Sequence, residues 1–190
     1  MPSIIVVPHD PKWHRFFEQE AVLIHQIWDS QVDAVHHIGS TAIPGIFAKP
    51  IIDILVVVKS IAVMDGLNPA IAAVGYEPMG EYGIPGRRFF RKGDDEHRSH
   101  HIHAFQVGHP DISRHLNFRD YMRAHPEDAR AYSDLKRSLA LQFPHNIEGY
   151  MDGKDALIRE MDRRAAEWQA KNGSISIQPE PAPFKNSGNP

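Results

Sequence analysis

Residues Val32 to Val58 read VDAVHHIGSTAIPGIFAKPIIDILVVV. The β-branched run from Val32 to Ile38 predicts a strand, and Gly39-Ser40-Thr41 ends it with small residues that let backbone N–H groups and a hydroxyl come close to an anion. A second strand is expected over Pro50 to Val58, and its near-continuous apolar run predicts burial on both faces. Only Asp53 interrupts that run. A carboxylate set alone in a hydrocarbon strand is expensive unless a cation or hydrogen-bond donors meet it. Two strands joined by a turn able to grip an anion, with one acid on the second, are therefore read as a candidate site for a hard cation and a phosphate, or as a strand-end carboxylate capping backbone N–H groups.

Working toward the N-terminus, Ile4 to Val7 reads as a short strand, and Asp10-Pro11 as a helix start with proline in the first position. Trp13, Phe16, Phe17, Ala21, Ile24, Ile27 and Trp28 keep the three-four spacing of one buried helical face. Toward the C-terminus, a weak helix around Ala62 to Val74 is expected to break at Asn68-Pro69 and to end at Gly75. Strands follow at Arg88 to Lys92 and Ser99 to Val107, and the remainder reads as helical. Ala129, Tyr132, Leu135 and Leu139 mark one helix, and Tyr150 to Trp168 carry the apolar positions of another. The expected architecture is α/β (α+β), a mixed β-sheet flanked by helices, with a C-terminal helical hairpin.

A chain of 190 residues suits one domain. The segment from 172 to 190 holds four prolines and three serines with little apolar material, so the folded unit is expected to span 1–171 and 172–190 to form a flexible tail. With 42% apolar and 24% charged residues and a net charge of -3, the composition excludes a collagen-like or wholly disordered chain and lacks a global basic field for nucleic acid. Nucleic acid accordingly ranks below a small molecule as partner. The absence of cysteine removes disulfides, thiol catalysis and cysteine-ligated zinc. Neither a signal peptide nor a membrane span is legible, so the expected location is the cytoplasm.

Thirteen histidines are present, seven of them between positions 97 and 125. On a strand His101 and His103 share one face and His100 takes the other. With Asp53 on a neighbouring strand they would form a two-histidine, one-carboxylate set, suited to Zn²⁺, Mn²⁺ or Fe²⁺ more than to Mg²⁺ alone. The alternative is that these imidazoles hydrogen-bond phosphate or a carboxylate without any metal. Alternation along Arg87 to Lys92 puts Arg88 and Lys92 on one face and Arg87 and Arg91 on the other. Lys49 lies just before the Asp53 strand, where it would suit phosphate oxygens.

The stretches His37 to Gly45 and Ala48 to Ile54 closely resemble the GrpB family of the nucleotidyltransferase superfamily. Arg88 to Lys92, His100 to His103, Phe118 to Tyr121, Tyr132 with Lys136, and Tyr150 with Lys154 agree with it. The resemblance implies a nucleotidyltransferase-like fold in which a glycine-serine turn and a pair of acids on the next strand hold nucleotide and metal. Here Ile51, Asp53 and Leu55 share that face, so one carboxylate of the pair is replaced by hydrocarbon. The leading expectation is a protein that binds a nucleoside triphosphate or related phosphorylated ligand with a divalent metal (Mg, Mn or Zn) and transfers a nucleotidyl group to a small molecule. In this scheme Asp53, His101 and His103 are catalytic and metal-ligating, while Gly39, Ser40, Thr41, Lys49, Arg88, Lys136 and Lys154 hold phosphate. Two alternatives stand beside it: a non-catalytic domain binding a nucleotide or coenzyme A derivative, and a metal-dependent hydrolase built on the histidine cluster.

Overall fold

The computed structural model describes residues 3–94 and 97–172. Helix α1 (Lys12–Trp28) follows Asp10, whose carboxylate accepts a hydrogen bond from the Lys12 N–H at 2.9 Å. Strands β1 (Val32–Ile38) and β2 (Ile52–Val58) flank the turn that carries Gly39 to Ala42. Short helices α2 (Ile61–Met64) and α3 (Asn68–Ala72) lead into strands β3 (Tyr76–Pro78), β4 (Arg87–Lys92) and β5 (His100–Gln106). Helices α4 (Pro110–Ala124), α5 (Pro126–Gln142) and α6 (Ile147–Asn172) complete the order.

The strands form one five-stranded sheet in the order β1-β2-β5-β4-β3. Among the described residues only the β2–β5 pair is parallel, so the sheet is mixed. Its register sets two faces of different character. Ile52, Ile54, Val56 and Val58 of β2, Ile102 and Ala104 of β5 and Phe90 of β4 pack against Trp13, Phe17, Ala21, Ile24 and Trp28 of α1. These α1 residues recur every three or four positions and each lies below 5% exposure, so α1 is held by burial of one stripe, worth about 1.5–3 kcal/mol for each large side chain. Phe16, expected on the stripe, is exposed at its edge. On the other face Ile38, Leu55 and Phe105 pack with Leu116 of α4. Asp53, His101 and His103 belong to this second face, near the end where β2 and β5 begin.

The C-terminal part adds a helix to the expected hairpin. Three helices pack together there, α4 and α5 each against α6, around Tyr121, Met122, Tyr132, Met161 and Ala165, with Ile43 and Ile46 of the β1–β2 connection entering the same cluster. The buried side chains of α4 include Arg119, so this helix lacks a clean apolar stripe by which to be recognised. Ile4 to Val7 is not a strand: Val7 alone bridges Ala48. Strand β3 is three residues long, too short for an alternation to be read. The expected tail lies, apart from Asn172, outside the described residues. Among the described residues no helix is long and apolar enough to cross a membrane.

Candidate functional site

Parallel pairing of β2 and β5 sets Asp53 directly beside His101, and the two-residue strand period brings His103 to the same face. His101 Nδ1 lies 3.1 Å from Asp53 Oδ1, and His103 Nε2 lies 3.6 Å from the same oxygen. The first is a hydrogen bond; the second is too long for one and acts as an electrostatic contact. Burial pushes the Asp53 carboxyl up, but the two imidazoles more than offset this and hold it well below the usual carboxylate range. One ligand atom from each of the three residues lies within 4.8 Å of the others. A carboxylate and two imidazoles are the donor set expected for a transition metal, so the residues present fit such an ion by type.

Gly39 supports this corner by its lack of a side chain. Its φ of +69° is left-handed, and a Cβ there would stand 2.5 Å from Asp53 Oδ2. The glycine therefore lets the turn close on the acid, which ties two of the expected site residues into one contact.

Arg87 adds a group that the sequence reading did not choose. It is buried and donates to the Glu81 and Tyr82 carbonyls, and its Nη1 lies 3.4 Å from His103 Nδ1. A guanidinium only donates, so His103 Nδ1 accepts and the ring carries its proton on Nε2, toward Asp53. A cation bound at Nε2 would require that proton to move and Arg87 to withdraw. Phe89 forms the floor, with its ring centroid 5.1 Å from those of both His101 and His103. His115 of α4 stands behind His103 at 5.4 Å, and burial holds its pKa down to about 3, so the ring is neutral.

A cavity of about 230 Å³ opens from this corner, lined by Ser40, Lys49, Asp53, His101 and, from α5 and α6, Tyr132, Lys136, Tyr150 and Lys154. Lys136 is 2% exposed, and among the described residues its Nζ has no hydrogen-bond partner. That Nζ lies 4.3 Å from the centre of the Tyr132 ring, and Lys154 Nζ lies 4.9 Å from that of Tyr150. Burial, with Lys154 adding repulsion, pushes the Lys136 ammonium down to about 7; burial and Lys49 bring Lys154 to about 8. Lys49 is lowered by burial as well. A wall of three lysines facing one carboxylate is an excess of positive charge, which an anion would neutralise.

Two residues expected at this site lie elsewhere. Arg88 projects from the opposite face of β4 and makes a two-point ion pair with Asp65, at 2.6 and 2.8 Å. Strand alternation separates it from Arg87, and the pairing of β4 with β5 decides which arginine meets the histidines. Thr41 is buried and points inward, donating to the Ile51 carbonyl at 3.2 Å and meeting His37 Nε2 at 3.0 Å. Ser40 does line the cavity, with its hydroxyl 3.5 Å from that of Tyr132. Of the other histidines, His109 caps α4, His125 stacks on Tyr121, and His100 bonds Ser99 on the far face.

Comparison with known proteins gives a consistent result. The family model described as GrpB protein matches residues 3–164. The UPF0157 protein YqkA of Bacillus subtilis (strain 168) is 43% identical over 177 residues, which cover 91% of this chain and 51% of that protein. The chain thus spans about half the length of that relative. A crystal structure of the conserved protein GrpB from Enterococcus faecalis superposes with a TM-score of 0.84 at 42% identity, covering 87% of this chain and 99% of that one. A protein named dephospho-CoA kinase from Mycolicibacterium paratuberculosis is 28% identical over 192 residues, covering 88% of this chain and 47% of its own length.

Proposed function

The chain belongs to the GrpB family, and from the chemistry of its cavity we propose that it binds a nucleoside triphosphate or related phosphorylated small molecule and transfers a nucleotidyl group to a small acceptor. The observation that carries this reading is the buried, unpartnered Lys136 Nζ, set with Lys49 and Lys154 around the cavity that also holds Asp53. Phosphate oxygens would take up the three ammonium groups and relieve their mutual repulsion. Ser40 would donate its hydroxyl to the same chain of oxygens. With a cavity of about 230 Å³, the phosphates would sit inside and the nucleoside at the mouth.

Asp53, His101 and His103 would hold a divalent cation, Mn²⁺ or Zn²⁺ by donor type and Mg²⁺ by the phosphate partner. Such an ion, when bound, supplies charge neutralisation on the phosphate being transferred. Where the ion takes only Asp53 and His103, Asp53 would fix the His101 ring through Nδ1 and leave Nε2 to accept the proton of an acceptor hydroxyl. A second reading keeps the anion site without turnover: the replacement of one superfamily acid by hydrocarbon favours it. The 28% identity to a protein named dephospho-CoA kinase would then suggest a coenzyme A derivative as ligand.

The test is calorimetric binding of ATP and GTP with Mg²⁺, Mn²⁺ or Zn²⁺, followed by chromatography for pyrophosphate release. Binding that is weakened in Lys136→Met, and turnover that is lost in Asp53→Asn, are expected. Binding without product under any metal would leave the second reading, and no binding of ATP or GTP by folded protein would remove the first.

A further inference from the structure

Lys136 can do more than pair with phosphate: it is among the largest fully buried side chains, its Nζ finds no partner among the described residues, and its neighbours are the Tyr132 ring and the second lysine, Lys154. Desolvation next to another cation is the setting that turns a lysine from an ammonium into a nucleophilic amine. We infer that Lys136 forms a covalent imine with the carbonyl carbon of a small phosphorylated aldehyde or ketone, whose phosphate is held by Lys49 and Lys154. The inference rests on the anion-holding part of the reading above and is independent of nucleotidyl transfer.

Three observations support it together. Lys136 lines the cavity, and its Nζ, closed to bulk water, would meet a small ligand that enters there. The cavity, about 230 Å³, lies below the range of about 300–1,000 Å³ that holds drug-sized ligands, which suits a compound of a few carbons and one phosphate. Burial and Lys154 bring Lys136 to about 7, so a large share of the amine is neutral near neutral pH. In the step itself the Nζ lone pair attacks the carbonyl carbon, a C–N bond forms and the C=O π pair moves to oxygen. The two amine protons and the carbonyl oxygen then leave as water, and the C=N bond remains.

The probe is glycolaldehyde phosphate, trapped with cyanoborohydride on the full chain and located by peptide mass spectrometry, with unphosphorylated glycolaldehyde as comparator. The expected result is a single adduct on Lys136, faster by roughly tenfold or more with the phosphorylated compound, suppressed by inorganic pyrophosphate, and absent in Lys136→Arg. Adducts spread over the exposed lysines Lys12, Lys59 and Lys171, with Lys136 unmodified, overturn the inference. Because the wild-type chain is mapped directly, the answer does not depend on how the variant folds. ATP binding measured on the same sample separates the two readings. Binding without an adduct sinks the imine alone, and an adduct without ATP binding sinks the nucleotide alone.

Discussion

Gly39 is where one atom would do most damage. A methyl group added there would meet Asp53 Oδ2 at 2.5 Å on a backbone already at φ +69°. Gly39→Ala should therefore push the acid out of reach of His101, costing about 1–3 kcal/mol in stability by urea unfolding and abolishing metal-dependent ligand binding. A wild-type titration with the variant would show that the turn does not support the acid. Arg87 and Arg88 make a matched pair of tests. Arg88→Ala, which removes a surface ion pair with Asp65, should leave ligand binding unchanged. Arg87→Leu frees His103 Nδ1 to carry the proton, so Zn²⁺ binding should tighten by roughly tenfold in a competition assay with a coloured chelator. The same change orphans the Glu81 and Tyr82 carbonyls and should cost about 1–3 kcal/mol in stability. Equal zinc affinity in both proteins would contradict the tautomer assigned to His103.

Among the elements, α5 carries both Lys136 of the lysine wall and an anchor to the β1–β2 connection. Ser133 is buried one helical turn before Lys136 and accepts the Phe47 N–H at 2.8 Å, which fixes the connection that delivers Lys49. Ser133→Ala leaves that N–H without its partner and should cost about 1–3 kcal/mol, with a parallel loss of anion affinity; stability lost with affinity intact would separate the anchor from the site. Much of this arrangement is legible in the sequence. Asp53 stands out because it breaks an apolar run, and the two-residue period puts His101 and His103 on one face without reference to any neighbour. Other features depend on long-range pairing. Alternation divides Arg87 from Arg88, but the β4–β5 register decides which meets the histidines. Thr41 looks like a phosphate ligand until the Ile51 carbonyl and His37 are seen to occupy its hydroxyl. Helix α4 is obscured by Arg119, buried where its hydrogen bond to the His37 carbonyl holds it.

Across the whole molecule, one face of the sheet is closed by α1 and the other is left partly open between the strand starts and α5–α6, and there the lysines collect. Their energetics give a pH signature. Lys136 at about 7 and Lys154 at about 8 lie below the ordinary lysine value of 10.5, so between about 7 and 10.5 the unfolded chain binds more protons than the native one. Stability contributed through these groups therefore rises with pH across that window, each pKa unit corresponding to about 1.4 kcal/mol. Unfolding of wild type and Lys136→Met at pH 7 and pH 9 should show a flatter profile in the variant; parallel profiles would mean that Lys136 titrates as an exposed lysine does. A bound anion should favour the protonated lysines and so weaken as pH rises. The direct measurement is calorimetric titration of inorganic pyrophosphate into wild type and Lys136→Met at pH 7. Saturable binding by the wild type, weakened by roughly tenfold or more in the variant, is the expected result. A folded wild type that gives no saturable heat, or two identical isotherms, would contradict an anion site built on the lysine wall.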